Sequence, residues 1–121
     1  MPKRVLLDEN LPHKLRFWLE PHHITTVAYL GWAGISNGAL VTAAEEAGFH
    51  VLLTADQGLN YQQSLKDHRL SIVVLSTNRS AVVLKNSARI VLAIDAVQPG
   101  CFLFVGLSDP DPDPDCESPA Q

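Results

Sequence analysis

Two acids in this chain stand just beyond apolar runs. Asp8 follows Val5-Leu6-Leu7, and Asp56 follows Val51-Leu52-Leu53-Thr54-Ala55. Short continuous runs of this kind read as strands buried on both faces. In open parallel sheets, ligands bind outside the carboxyl ends of the strands. If these two strands are neighbours, both carboxylates point into one crevice. Paired carboxylates repel each other, and a divalent cation removes that cost. Hard oxygen donors select Mg²⁺ or Mn²⁺, which keep several waters and bind phosphates. Such an ion activates water and stabilises a phosphodiester transition state. The same residues also have a purely local reading. Asp8 to Asn10 opens a helix, where acids and amides serve as caps, and Asp56-Gln57-Gly58 shapes a turn. Spacing leaves both readings open.

The elements that must position these acids follow from hydrophobic patterning. Strands are expected over Arg4–Leu7, 24–28, 50–54, Ser71–Leu75 and 101–105. Asn10 can cap a helix with Pro12 in its first turn. Leu11, Leu15, Trp18 and Leu19 then share one face, and Pro21 ends it. Ser36 or Asn37 can cap a second helix running to Ala47. Leu40, Ala43, Ala44 and Ala47 give it a packing face, and Gly48 terminates it. A short helix is expected over 61–66 and a long one over 81–97, stopped by Pro99-Gly100. Strands alternating with helices predict an α/β domain over residues 1–107, with a mainly parallel sheet of about five strands covered on both faces.

Composition sets the outer limits. The chain has 121 residues, 46% of them hydrophobic, which is one domain's length with material for a core. The net charge of −4 belongs to the end of the chain. Residues 108–121 carry five of the thirteen acids, no Lys or Arg, and four of the eight prolines, leaving eight acids against nine bases before them. An alternating Asp-Pro series builds neither helix nor ladder, so a solvated tail is expected there. No apolar run reaches the roughly eighteen residues that span a bilayer. Asp8 stands too early for a signal peptide, so the expectation is a cytoplasmic protein with no membrane partner.

Other chemistries find little support. Cys101 and Cys116 form no C-x-x-C pair; Cys101, opening an apolar run, is expected buried and Cys116 exposed. His22-His23 reads as a loop after Pro21, and His13, His50 and His68 have no partner at ligand spacing. No phosphate-binding loop, dinucleotide fingerprint or nucleophile elbow occurs.

The residues around the two acids carry a family resemblance. Leu6-Leu7-Asp8-Glu9-Asn10-Leu11-Pro12, with Leu53-Thr54-Ala55-Asp56-Gln57-Gly58-Leu59 downstream, resembles the small PIN-like proteins. The segment from Gly34 through Leu40 to Ala44 and Gly48 is similar to their intervening helix. The resemblance spans residues 4 to about 75. It implies a three-layer PIN-like α/β/α fold and an acidic pocket holding Mg²⁺ or Mn²⁺. Active members cut RNA as metal-dependent ribonucleases, often as the toxin of a toxin–antitoxin pair neutralised by a small antitoxin protein. Homodimers are common among them. Carried over by position, Asp8 and Asp56 are the metal-binding and catalytic acids. Asn37 stands where the family has an Asp at the helix start and can still offer a neutral oxygen. Gly58 stands where a further acid is expected, and Leu59 replaces a Phe. Each lost carboxylate weakens a hard-cation site. The alternative is thus a catalytically weakened PIN-like module that binds RNA or a protein partner.

Further residues are candidates for supporting roles. Asn10 can bond to a metal-bound water or cap its helix. Thr54 and Asn60 lie close to Asp56 in sequence. Arg79 follows the fourth strand and can contact a substrate phosphate, and Lys14 and Arg16 lie on the first helix. Glu45 and Glu46 fall on a solvated helix face. Phe17, Trp18 and Trp32 can contribute an apolar dimer patch, although the core is the expected place for Trp18.

Overall fold

Five short strands pair in parallel in the computed structural model, which describes residues 2–56 and 69–107. They are β1 (Arg4–Leu7), β2 (His23–Thr26), β3 (Val51–Thr54), β4 (Ser71–Leu75) and β5 (Phe102–Val105). Their order in the sheet is β2-β1-β3-β4-β5. The α/β fold expected from the sequence is present. The chain leaves β1 toward one edge, then returns past β1 to β3, so the winding reverses between β1 and β3. Leu7 pairs with Leu53 there, and the Asp8 N–H extends the ladder to the Leu53 carbonyl at 2.9 Å. The crevice above such a reversal is where open α/β sheets bind ligands.

Alternate side chains of each strand point to opposite faces. Val5, Leu7, Val51, Leu53, Val73 and Leu75 enter one core, closed by Leu11, Leu15, Leu19, Val83, Ile90 and Ile94. Leu6, Leu52, Ile72 and Val74 enter the other, closed by Leu40, Val41, Ala44 and Phe49. Burial on both faces explains why the strands read as continuous apolar runs. Each fully buried Leu or Ile contributes about 1.5–3 kcal/mol.

Helix α1 (Asn37–Glu46) forms as its signals predict. The Ser36 hydroxyl accepts the Ala39 N–H at 3.3 Å. Gly48 ends the helix at φ +88°, where an added Cβ would lie 2.7 Å from Arg4 Nη1. That nitrogen donates to the Ala47 carbonyl at 2.8 Å, satisfying the helix terminus.

Three expectations are corrected. The first helix is a short 3₁₀ turn over His13–Phe17 without a side-chain cap, because the Asn10 side chain is engaged elsewhere. Leu11, Leu15 and Leu19 still reach the core, but the helix stops at Phe17 and Trp18 is 58% exposed. The long helix is two, α2 (Ser80–Lys85) and α3 (Ser87–Ala96). Asn86 divides them at φ −105° and ψ 20°, its N–H and its Nδ2 both donating to the Val82 carbonyl, at 3.2 and 2.7 Å. Cys101 is exposed in the turn before β5, not buried in the strand.

The connection carrying α1 and the one carrying α2 and α3 step across the sheet in the same direction. They pack on opposite faces, so they are of opposite hand, and one departs from the right-handed rule. The expected 61–66 helix and the 108–121 tail lie outside the described residues, as do Gly58, Leu59, Asn60, His68 and Cys116. Among the described residues no helix is long and apolar enough to cross a membrane.

Candidate functional site

Strands β1 and β3 end side by side, and their following residues close a small cavity of about 160 Å³. Asp8, Glu9, Asn10 and Asp56 supply its polar wall, and Val27, Trp32, Ile35 and Leu40 its apolar wall. The sequence placed Asp8 and Asp56 in one crevice if their strands were neighbours, and the sheet makes them neighbours.

Local bonding fixes the acids. Asp8 is 9% exposed. Its Oδ1 accepts the Glu9 N–H at 2.7 Å, and its Oδ2 accepts the Thr54 hydroxyl at 2.6 Å. The Thr54 oxygen accepts the Asp56 N–H at 3.1 Å. Asn10 Oδ1 accepts the Ala55 N–H at 3.4 Å, tying the loop after β1 to the end of β3. Glu9 Oε2 accepts the Gly34 N–H at 3.4 Å and so fixes the loop that enters α1.

The donor set is oxygen throughout, as a hard cation requires. The cavity is large enough for an ion with a few waters, each occupying about 30 Å³ in the liquid. Among the described residues no three acid, His or Cys side chains gather tightly enough to hold an ion by themselves. A Mg²⁺ ion held by Asp8 and Asp56 would have to fill its remaining positions with water.

The other candidates fall in different places. Thr54 is fully buried, so its hydroxyl orients the acids and does not face a ligand. Asn37 stands at the first position of α1, between Ile35 and Leu40, which line the cavity. Arg79 is exposed at the entry of α2, at the same sheet edge but outside the lining. Glu45 turns toward the opposite edge, where its Oε1 accepts the Arg69 N–H at 3.2 Å. Trp32 is half-buried and meets Phe49 edge-on at 6.5 Å, which removes it from any apolar surface patch.

Glu9 also lines the cavity, its place next to Asp8 being the signal the sequence offers for it. His22 lies in the bend before β2, as the sequence predicts. The His22 side chain is fully buried. Its Nδ1 accepts the Lys3 N–H at 3.0 Å, so Nε2 carries the proton of the neutral ring. Asp95 Oδ1 lies 2.9 Å from Nε2 without the alignment of a hydrogen bond, making the contact electrostatic. A larger cavity of about 690 Å³ lies at this opposite edge, lined by Lys3, His50, Arg69 and Asp95 among others. It is remote from the strand ends where the acids converge, and size alone does not make it the reactive site.

No protein-family model, curated protein or solved structure matches this chain. The PIN-like resemblance therefore rests on its residues, and the site rests on its geometry.

Proposed function

We propose that this chain is a PIN-like ribonuclease that hydrolyses RNA phosphodiester bonds with Mg²⁺ or Mn²⁺. It acts in the cytoplasm as the toxin of a toxin–antitoxin pair, with a small antitoxin protein as its partner. The observation that carries this reading is the pairing of Asp8 and Asp56 across one cavity at the winding reversal. Asp8 and Asp56 would hold the ion. When bound, it supplies a more acidic water and neutralises charge on the phosphodiester. Thr54 fixes the Asp8 carboxylate, and Asn10 holds the two strand ends together. Val27, Ile35 and Leu40 exclude bulk water from one wall, which strengthens electrostatics inside. Arg79 is available to an adjoining phosphate from the next strand end.

Calorimetric titration of Mn²⁺ tests this reading on wild type and on Asp56→Asn. Binding by the first and its loss in the second are expected, with RNA cleavage following the same pattern. No binding to wild type at millimolar ion overturns the metal site.

A second reading is a PIN-like module that binds RNA or a protein without cutting. It is favoured by Asn37 and Gly58, neither of which offers a carboxylate. Under it, Asn37→Asp combined with Gly58→Asp creates or raises cleavage. A wild type already fast with Mn²⁺ counts against it.

A further inference from the structure

Beside the acid cavity, along the free edge of β2, runs a cleft of about 580 Å³. His13, Arg16, Thr25, Thr26 and Tyr29 supply its polar and aromatic lining, and among the described residues no acid lines it. The two spaces are lined by neighbouring stretches of the chain. Val27 lines the acid cavity, while Thr26, Ala28 and Tyr29 on either side of it line the cleft. Asn10 lines the cavity, and His13, three residues later, lines the cleft.

The lining fits one kind of ligand. Tyr29 is 82% exposed, a large aromatic ring offered to solvent. Its backbone is fixed, the N–H donating to the Thr26 carbonyl at 3.1 Å and to Thr26 Oγ1 at 3.0 Å. The Arg16 guanidinium lies 4.3 Å from the centroid of the Phe17 ring and donates to the His13 carbonyl at 3.1 Å. Phe17 is itself 64% exposed. An open ring beside a held cation suits a flat heterocycle carrying a phosphate. Aromatic platforms with Arg are how proteins bind single strands without reading sequence. The volume lies within the range of small-ligand pockets.

We propose that this cleft seats one nucleotide of a single-stranded RNA, its base stacked on Tyr29 and its phosphate against Arg16. The strand then continues past Val27 to the acid cavity. The direction of the strand rests on the reading of Asp8 and Asp56 as an RNA-cutting site. A peptide adding a strand to the β2 edge is the competing occupant. The exposed Tyr29 ring, and a described lining that holds Arg16 and no acid, favour the nucleotide.

The test is fluorescence anisotropy of a fluorescein-labelled single-stranded octaribonucleotide, in EDTA, so that binding is read apart from any ion and any cleavage. Tyr29→Leu is expected to weaken binding about tenfold, within the usual cost of losing one stacked base. Tyr29→Phe, which keeps the ring, should match wild type. Arg16→Gln should weaken binding and lower the slope of log affinity against log salt by about 0.7, one phosphate contact on a single strand. Tyr29 and Arg16 are exposed, and circular dichroism would check that the variants fold.

Wild type failing to bind at about 0.1 mM, the weak end of non-specific affinity, overturns the proposal. So do Tyr29→Leu and Arg16→Gln variants that bind as wild type does. Competition by uridine monophosphate as strong as by the octamer means a mononucleotide site, and overturns the strand path. If the octamer binds through Tyr29 but no ion-dependent cleavage occurs, the nuclease reading fails and the cleft stands. Cleavage with unaltered binding in both variants removes the cleft alone.

Discussion

The Thr54 hydroxyl donates to Asp8 Oδ2 at 2.6 Å from a fully buried position on the neighbouring strand. The same oxygen accepts the Asp56 N–H at 3.1 Å. One side chain in β3 therefore holds the Asp8 carboxylate and the Asp56 backbone together. It fixes which Asp8 lone pairs remain for a ligand, since each carboxylate oxygen already accepts one bond.

Thr54→Val keeps the shape and removes the hydroxyl. Asp8 Oδ2 and the Asp56 N–H each lose this partner. Urea unfolding should show a loss of about 1–3 kcal/mol, the cost of stranding a buried polar group. Mn²⁺ affinity should fall about 10–100-fold, as when a ligand's outer partner is lost. Thr54→Ser, which keeps the oxygen, should recover most of both. Equal Mn²⁺ affinity in Thr54→Val and wild type would show that the hydroxyl does not orient a metal ligand.

Asp8→Asn removes the charge while keeping the side-chain size. Ion affinity and RNA cleavage should both drop by at least about 100-fold, the upper end of what an outer-partner change costs. Calorimetry and a gel assay read the two effects separately. Cleavage unchanged in this variant sinks the proposed mechanism.

Metal removal should be visible as stability. An ion that binds the folded state at about one hundred times its dissociation constant adds about 2.7 kcal/mol. Mn²⁺ should therefore raise the melting temperature of wild type, and EDTA should reverse the rise. Asp56→Asn should melt at the same temperature with and without the ion. A rise of equal size in Asp56→Asn would place the bound ion elsewhere.

His22 gives a control at the far edge of the sheet. His22→Leu leaves the Lys3 N–H without its acceptor and Asp95 without the imidazole. A loss of about 1–3 kcal/mol is expected on unfolding. Mn²⁺ binding and octaribonucleotide binding should remain at wild-type levels. A drop in either would mean that the two edges of the sheet are coupled.

The sequence by itself determined the strands, their double-sided burial and the α/β class. Runs such as Ser71–Leu75 admit few other readings, because an apolar segment bounded by polar breakers must be covered on both faces. It also determined α1, whose Ser36 cap and Gly48 stop are local chemistry. The tertiary structure decided what local rules could not. Asn86 splits the last helical stretch because its backbone leaves helical angles, at φ −105° and ψ 20°, a departure that hydrophobic periodicity does not report. Trp18 lies outside and His22 inside, because each depends on where the 3₁₀ turn stops and on what Lys3 and Asp95 bring to it. Above all, strand order put Asp8 beside Asp56. Residues 48 positions apart share a cavity only because β3 pairs with β1, and hydrophobic pattern carries no information about which strand lies next to which.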